Sequence, residues 1–180
     1  MTHRPLLVCR FLCGIGLTLA TASLAAEPSR LPLAERSARM APVAQAYFKA
    51  YIDRDWDRLE PLLDETARFA DPTADAVFGM STARNGKTRL MLFFRNNYGA
   101  IRAMSFTPST VWASGEFAVF VGELDWTLAL PDGRLVRTRM PLVTRLHVRD
   151  GRVLEHVDVA DCRPFEVALQ ASRDAPIPPP

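Results

Sequence analysis

The sequence has few of the side chains that bind metal ions. Its 180 residues include three cysteines and three histidines, and three of these six lie within residues 1–13. Only Cys162, His147 and His156 remain beyond that segment. Structural zinc sites use four protein ligands, and catalytic sites use three that converge on one point. Two histidines and one cysteine are therefore a poor candidate for a metal site, and we expect none. A single remaining cysteine cannot form an internal disulfide. We interpret Cys162 as a half-buried thiol at a strand end, with an intermolecular disulfide as the alternative.

The short motifs of nucleotide and hydrolase chemistry are also missing from the sequence. It contains no P-loop, no G-x-G-x-x-G, no H-E-x-x-H and no serine within G-x-S-x-G. These motifs supply phosphate cradles, zinc ligands and activated nucleophiles. We therefore expect no cofactor and no hydrolase chemistry that depends on these motifs.

The first 25 residues have the layout of a secretory signal peptide. Arg4 and Arg10 accompany an apolar run, FLCGIGLTL, and the small residues ATASLAA follow it. We expect cleavage after Ala25 or Ala26 and a periplasmic or secreted mature protein. The apolar run is too short for a stable transmembrane helix, so we expect no stable membrane insertion after cleavage. The alternative is an uncleaved N-terminal membrane anchor.

The mature chain should carry almost no net charge. The sequence has 22 Lys and Arg residues and 20 Asp and Glu residues, and cleavage would remove two arginines and no acidic residue. A nucleic-acid partner requires a basic patch or stripe. We therefore expect no nucleic-acid partner.

Helical patterns dominate the chain up to residue 98. Residues 26–40 are polar and contain two prolines, so we interpret them as a linker before a domain over residues 41–170. Helical spacing of apolar residues predicts a first helix over VAQAYFKAYIDR, with Pro42 in its first turn. WDRLEPLLD is predicted as a second, short helix that Pro61 kinks. Residues 86–98 are predicted as a third helix.

Strand patterns surround and follow that third helix. A short strand over residues 67–70 should end at Asp71, since the residue before a proline is held in extended conformation. Four longer segments rich in β-branched and aromatic residues are separated by turn signals that contain Gly115, Gly133 and Gly151. These four predicted strands are residues 101–113, 116–130, 134–149 and 152–160. Helices followed by an antiparallel meander favour an α+β fold, and residues 171–180 are interpreted as a proline-rich tail.

Three segments, in order, resemble the nuclear transport factor 2-like superfamily, which includes SnoaL-like polyketide cyclases and ketosteroid isomerases. AYFKAYIDRDWDRLEPLLDETARFADPTA resembles the opening of the ketosteroid isomerases, the helix that begins at Gly86 follows, and GRVLEHVDV resembles the closing strand of SnoaL-like proteins. The resemblance covers residues 41 to about 165. It implies a cone-shaped α+β fold in which three N-terminal helices pack on a curved antiparallel sheet. It implies less about function, because this fold hosts many functions.

Asp71 and Tyr47 match two functional positions of ketosteroid isomerases. In that family the aspartate of the Asp-Pro step is the general base, and a tyrosine of the first helix donates a hydrogen bond to the substrate oxyanion. A carboxylate at a pocket can have its pKa raised by desolvation toward a working range. The alternative for Asp71 is turn chemistry, in which its side chain caps backbone N–H groups. The alternative for Tyr47 is packing in the helix core.

His156 and Asp158 share one face of the last predicted strand, because side chains two residues apart in a strand point the same way. The resemblance to SnoaL-like cyclases assigns the aspartate of this His-x-Asp pair to acid/base catalysis of an aldol ring closure. Such a pair can donate and accept protons near neutral pH. The alternative is a structural hydrogen-bonded pair, tied to Arg145 or Asp71.

The isomerase pattern has a third member, a protonated aspartate that completes the oxyanion hole, and this sequence departs from it. The corresponding position is Thr144, whose hydroxyl can donate one hydrogen bond but is not an acid of comparable strength. This departure argues against true ketosteroid isomerase activity. The predicted substrate-binding residues are Tyr51, Phe93, Thr144 and Leu146.

The strand that contains GELDW could face the core in either of two registers. We predict that Glu123 and Asp125 face solvent. Phe120, Leu124, Trp126 and Leu128 would then form the core face. The opposite register would expose an apolar stripe as a dimer surface. The resemblance itself implies a homodimer through the sheet, since members of the superfamily often pair that way.

Three functions therefore remain open on the sequence. The first is a cofactor-free enzyme for proton transfer next to a carbonyl group, in isomerisation, aldol cyclisation or dehydration. Asp71 and Asp158 would then be the bases, with Tyr47 and His156 as hydrogen-bond donors. The second is a binding module that holds a small apolar molecule without turnover. The third is a dimerisation or assembly domain without a small-molecule site.

Overall fold

The computed structural model describes residues 31–175. The predicted signal peptide, the start of the predicted linker and the end of the predicted tail lie outside them. The helices are α1 (Leu33–Asp53), α2 (Trp56–Leu59), α3 (Pro72–Phe78), α4 (Lys87–Asn97) and α5 (Arg163–Asp174). The strands are β1 (Leu63–Ala70), β2 (Arg84–Asn85), β3 (Ile101–Ser114), β4 (Phe117–Ala129), β5 (Leu135–Arg149) and β6 (Arg152–Ala160).

The strands form one curved, open sheet in the order β2-β1-β6-β5-β4-β3. β3 to β6 pair as an antiparallel meander, and β1 joins the far edge of that meander by running parallel to β6. The predicted α+β fold and the four-strand meander are therefore confirmed. The parallel pairing brings the end of β1, and with it Asp71, beside the end of β6.

The helix α1 begins earlier than the sequence predicted. It starts at Leu33, so residues 33–40 are helical and the predicted linker is wrong for them. This segment, LAERSARM, consists mostly of strong helix formers, which outweigh the polar character that suggested a linker. Pro42 lies inside α1 rather than in its first turn, and it removes one N–H donor from the middle of the helix.

Two helices were not predicted, and both have a proline in the first turn. Asp71 accepts hydrogen bonds from the N–H groups of Thr73 and Ala74 and thereby caps α3, with Pro72 in the first turn. The helix α5 places Pro164 in its first turn and runs to Asp174. The predicted tail over residues 171–180 is therefore wrong for its first four residues. The three predicted helices correspond to α1, α2 and α4, and the described residues contain α3 and α5 in addition.

The inner face of the sheet carries the core, as the strand alternation predicted. In β4, Phe120 and Leu124 are buried. Asp125 lies on the opposite face, where its Oδ2 is 2.9 Å from Nη2 of Arg139 in the neighbouring strand β5. The predicted register of GELDW is therefore confirmed. Among residues 31–175, no helix combines the length and apolarity needed to cross a membrane.

Candidate functional site

A cavity of about 210 Å3 lies between the inner face of the sheet and the helices. Its wall is largely apolar, and it includes Phe69, Phe93, Leu124, Leu128, Leu142 and Phe165. Two carboxylates, Asp71 and Asp158, also line it. β1 and α3 position Asp71, and β6 positions Asp158, so the parallel pairing of β1 with β6 brings the two carboxylates to one cavity.

The two oxygens of the Asp71 carboxylate have different surroundings. Oδ1 accepts hydrogen bonds from the N–H groups of Thr73 and Ala74, at 3.1 and 2.8 Å, and from the Thr73 hydroxyl at 2.5 Å. Within residues 31–175 no hydrogen bond reaches Oδ2. Burial is the main cause that raises the pKa of Asp71, and the negative charge of Asp158 adds to it. Oδ1 thus caps α3, and Oδ2 is free of hydrogen bonds from the described residues.

Asp158 is the centre of a buried hydrogen-bond network. Its Oδ1 accepts from the Thr144 hydroxyl and from Nε2 of His156, the latter at 2.9 Å, and its Oδ2 accepts from the Tyr51 hydroxyl at 2.9 Å. Thr144 and His156 are completely buried, and Asp158 is 2% exposed. Three side-chain donors therefore converge on one carboxylate, and both of its oxygens accept hydrogen bonds.

Tyr47 extends the network behind Asp158 and determines which ring nitrogen of His156 is the donor. The Tyr47 hydroxyl lies 3.1 Å from Nδ1 of His156 and has no other partner among the described residues. A completely buried hydroxyl hydrogen needs an acceptor, so Nδ1 accepts from Tyr47. Nε2 then carries the hydrogen that it donates to Asp158. In this arrangement Nδ1 of His156 is an acceptor and Nε2 is a donor.

Tyr98 ends the network at the cavity wall. Tyr51 gives its single hydrogen to Asp158, so its oxygen accepts from the Tyr98 hydroxyl at 2.9 Å. Burial raises the pKa of both tyrosines well above the ordinary value, and the charge of Asp158 raises it further. Both hydroxyls therefore remain protonated donors.

The structure divides the predicted site residues into two groups. Asp71, Asp158, Tyr51 and Phe93 line the cavity. The other four residues, which are Tyr47, His156, Thr144 and Leu146, lie in the buried core outside the cavity wall. A ligand in this cavity would not contact the second group directly. Thr144 and His156 are hydrogen-bonded to Asp158, and Tyr47 is linked to it through His156.

Sequence reasoning did not select Tyr98, Trp126 or Phe165 as site residues, although all three line the cavity. Tyr98 directly follows α4, and its hydroxyl is hydrogen-bonded to that of Tyr51, 47 positions away in the sequence. Phe165 belongs to the unpredicted helix α5 and packs on Trp126 at 5.2 Å between ring centroids. The amphipathic pattern of α5 was a signal that could have indicated Phe165, whereas no local pattern indicated Tyr98.

Cys162 lies between β6 and α5 and is half-buried, so the interpretation of its thiol is confirmed. Burial raises the pKa of this thiol, which disfavours the reactive thiolate. Within the described part of the chain, no three His, Cys, Asp or Glu side chains converge as metal ligands would.

Known proteins with this fold carry several activities. A candidate SnoaL-like polyketide cyclase from Shewanella denitrificans is 22% identical, with a TM-score of 0.65, over 73% of this chain and 97% of that chain. A candidate ketosteroid isomerase from Kribbella flavida is 22% identical, with a TM-score of 0.52, over 80% of this chain and 84% of that chain. An LEH-like epoxide hydrolase from M. tuberculosis is 14% identical, with a TM-score of 0.59, over 76% of this chain and 93% of that chain. At these identities the likeness shows the fold alone.

The sequence itself identifies the family. No curated protein sequence matches the chain significantly. The family model of the SnoaL-like domain, however, matches residues 44–156. That match includes residues 44–53 of α1, the Asp71 cap and β6 as far as His156, so it spans most of the elements that build the cavity. The chain belongs to the SnoaL-like domain family.

Proposed function

We propose that this protein binds a small, mostly apolar carbonyl compound in the cavity and transfers a proton at the carbon next to the carbonyl group, without a cofactor. One observation carries the proposal. Asp71 presents an oxygen without a hydrogen bond from the described residues at an apolar cavity, and burial raises the pKa of its carboxyl group. A carboxylate with these properties is suited to act as a general base.

The proposed reaction begins with removal of a proton from the α-carbon by Asp71 Oδ2. The electron pair of the broken C–H bond forms a carbon–carbon double bond, and the carbonyl π electrons move onto the carbonyl oxygen. The enolate then takes the proton back from Asp71, at the same carbon or at a conjugated one. Alternatively, its carbon attacks a second carbonyl group in a ring closure, the π electrons of that carbonyl move onto its oxygen, and the resulting alkoxide takes the proton from Asp71. Reprotonation at the conjugated carbon is an isomerisation, and the ring closure is an aldol cyclisation.

Asp158 supports this chemistry as a positioning residue. Both of its oxygens already accept hydrogen bonds, so it is less suited to take a proton from a ligand than Asp71, whose Oδ2 accepts none from the described residues. Its charge, however, helps to raise the pKa of Asp71. Through Tyr51 it also orients the hydroxyl of Tyr98 at the cavity wall. The role of the buried His156 is then to hold Asp158.

A second function, binding without turnover, is favoured by the cap that Asp71 forms. Its Oδ1 accepts all three hydrogen bonds that start α3, which is reason enough for an aspartate at this position. In that case the cavity would hold the same class of ligand, and Asp71 would only shape its wall.

Replacement of Asp71 by asparagine separates the two functions. Asparagine is as good a helix cap as aspartate, so α3 should be retained, but its amide cannot act as a base. The matched control is Asp75→Asn, because Asp75 lies in the same helix, accepts from the N–H of Thr82 and does not line the cavity. Each variant and the wild type would be incubated with α-tetralone in D2O, and loss of the α-proton signal would be followed by NMR.

We expect the wild type and Asp75→Asn to accelerate deuterium uptake equally. Asp71→Asn should lose at least about a hundredfold of that acceleration, since general-base catalysis typically contributes about 10²–10⁴-fold. Calorimetric titration with the same ketone would run in parallel. Binding by the wild type without accelerated exchange would support the binding function and refute the proton transfer. Failure of the wild type to bind would refute both.

We also propose that the mature protein is exported. The arrangement of Arg4, Arg10, the apolar run and the small residues before Ala26 supports this proposal. Mass spectrometry of the protein purified from its native host would identify the N-terminus. We expect the chain to begin at Ala26 or Glu27, and a chain that retains residues 1–25 would contradict cleavage.

A further inference from the structure

Trp126 carries a buried N–H donor that has no acceptor among the described residues. Among residues 31–175, the buried side-chain nitrogens and oxygens without a hydrogen-bond partner are Nε of Arg54 and Nε1 of Trp126. Arg54 does not line the cavity, and its guanidinium donates elsewhere, to the carbonyl of Ile101. An unpaired buried donor is costly, so an N–H group that remains unpaired beside a cavity is suited to a ligand acceptor.

Trp126, which carries this donor, belongs to the wall of the cavity. The residue lies on the inward-facing side of β4, its side chain lines the cavity, and its ring packs against Phe165 of α5. Tyr51 and Asp158 approach the same cavity from α1 and β6. A ligand in the cavity is therefore exposed to polar groups from different elements.

The other donors at the cavity are already used. Tyr51 donates to Asp158, Tyr98 donates to Tyr51, and the Thr82 hydroxyl is within hydrogen-bond distance of the Asp71 carbonyl at 3.2 Å. Asn97 donates to the carbonyl of Phe93, and its residue is exposed, so water can satisfy its remaining amide hydrogen. Trp126 Nε1 is thus the buried nitrogen of the cavity wall that still has a hydrogen to donate.

We infer that the N–H of Trp126 donates a hydrogen bond to the oxygen of the ligand, and that this ligand is a neutral carbonyl compound rather than a carboxylate. The inference rests on the proposed function and specifies its substrate class. As Asp71 takes the proton, its negative charge is transferred to the substrate oxygen, where a fixed donor stabilises it.

The charge of the cavity excludes an anionic ligand. Asp71 and Asp158 line it, and no Lys, Arg or His side chain is among the lining residues of the described chain. A carboxylate placed there would lose its hydration beside two like charges and gain no cationic partner, which is strongly unfavourable. A neutral carbonyl oxygen needs only one donor, which Trp126 supplies.

Matched ligands and one conservative variant test the inference. α-Tetralone and tetralin share a bicyclic skeleton and differ by the ketone oxygen, and naphthoate is an anion of similar size. Trp126→Phe keeps an aromatic ring and removes the N–H. Trp112→Phe is the control, because Trp112 is 49% exposed and lies away from the cavity. The affinity of each protein for each ligand would be measured by calorimetry.

The ratio of the two affinities, α-tetralone to tetralin, is the decisive quantity, because packing changes in Trp126→Phe affect both ligands. We expect this ratio to fall about three- to tenfold in Trp126→Phe, the range that one hydrogen bond contributes, and to stay unchanged in Trp112→Phe. Naphthoate should not bind. The indole N–H signal of Trp126, which Trp126→Phe identifies in NMR spectra, should move downfield with the ketone and not with tetralin.

The outcomes separate this inference from the proposed function. An unchanged affinity ratio in Trp126→Phe, with α-tetralone still bound, overturns the role of Trp126 and leaves the proposed proton transfer standing. Tight binding of naphthoate overturns the substrate class. A reduced ratio without any deuterium exchange supports the role of Trp126 and refutes the chemistry. If the wild type binds neither α-tetralone nor tetralin, the proposed function and this inference fail together.

Discussion

Replacement of Thr144 by valine tests the buried network around Asp158. The Thr144 hydroxyl donates to Asp158 Oδ1, and the threonine side chain is completely buried, so water cannot replace the lost donor. A hydrogen bond to a charged group contributes about 1.5–3 kcal/mol. Valine has nearly the shape of threonine, so it leaves almost no cavity. We therefore predict that Thr144→Val lowers the free energy of unfolding by about 2 kcal/mol.

Urea denaturation followed by circular dichroism would measure this loss. The matched control is Thr110→Val, because Thr110 is an exposed strand residue on the outer face of β3, opposite Val121 of β4. A surface substitution of this kind should change the free energy of unfolding by less than about 0.5 kcal/mol. If Thr144→Val costs no more than the control, Thr144 does not donate to a buried charge and the network is not organised as described.

Three further predictions concern the sheet and Asp71. A side chain at Gly122 would collide with the backbone oxygen of Thr107, so Gly122→Ala should lower the free energy of unfolding by at least about 1–3 kcal/mol in urea denaturation, whereas Gly99→Ala, which meets open space, should not. Burial raises the pKa of Asp71 in the folded state above its ordinary value of 3.8, so the folded protein binds more protons and becomes less stable as pH rises from that value through the raised pKa. The stability of the wild type relative to Asp71→Asn should therefore fall over this pH window, and a constant difference would show that Asp71 is not desolvated. We also predict a homodimer through the outer face of the sheet, where Val143 is 40% exposed; Val143→Lys should shift sedimentation toward the monomer, and an unaffected dimer would place the interface elsewhere.

The sequence predicted the parts of the site that depend on local pattern. The alternation of β6 correctly placed His156 and Asp158 on the inward face, because that face follows from the two-residue period of a strand. The Asp-Pro step correctly ended β1 at Asp71. The capping interpretation of Asp71 is confirmed, since one of its oxygens accepts the hydrogen bonds that start α3. Its role as a general base stays a prediction.

The remaining parts of the site depend on contacts between distant elements. Tyr98 and Tyr51 meet because α4 packs beside α1, and Phe165 reaches Trp126 because α5 returns to the sheet after β6. No periodicity within a single segment encodes such a meeting. The placement of Tyr47 behind His156 shows the same limit, since the helical pattern put it on the core side without specifying whether it meets the cavity or the strand.

The two carboxylates illustrate how environment separates the roles of similar side chains. Asp158 accepts from three side-chain donors through both oxygens, whereas the described residues donate to one oxygen of the Asp71 carboxylate. The first arrangement engages both oxygens of the carboxylate with donors, and the second leaves one oxygen without a partner among the described residues. This difference is why we assign the proton transfer to Asp71 and the positioning to Asp158.

The rate of deuterium uptake at the α-carbon of α-tetralone, measured against pH, tests the assignment of Asp71 most directly. Because burial raises the pKa of Asp71, we predict that the wild-type rate rises with pH through a pKa above 3.8 and then levels off once the carboxylate is ionised. Asp71→Asn should remain at the uncatalysed rate at every pH. A wild-type profile that Asp71→Asn reproduces would contradict the proposal that Asp71 is the base.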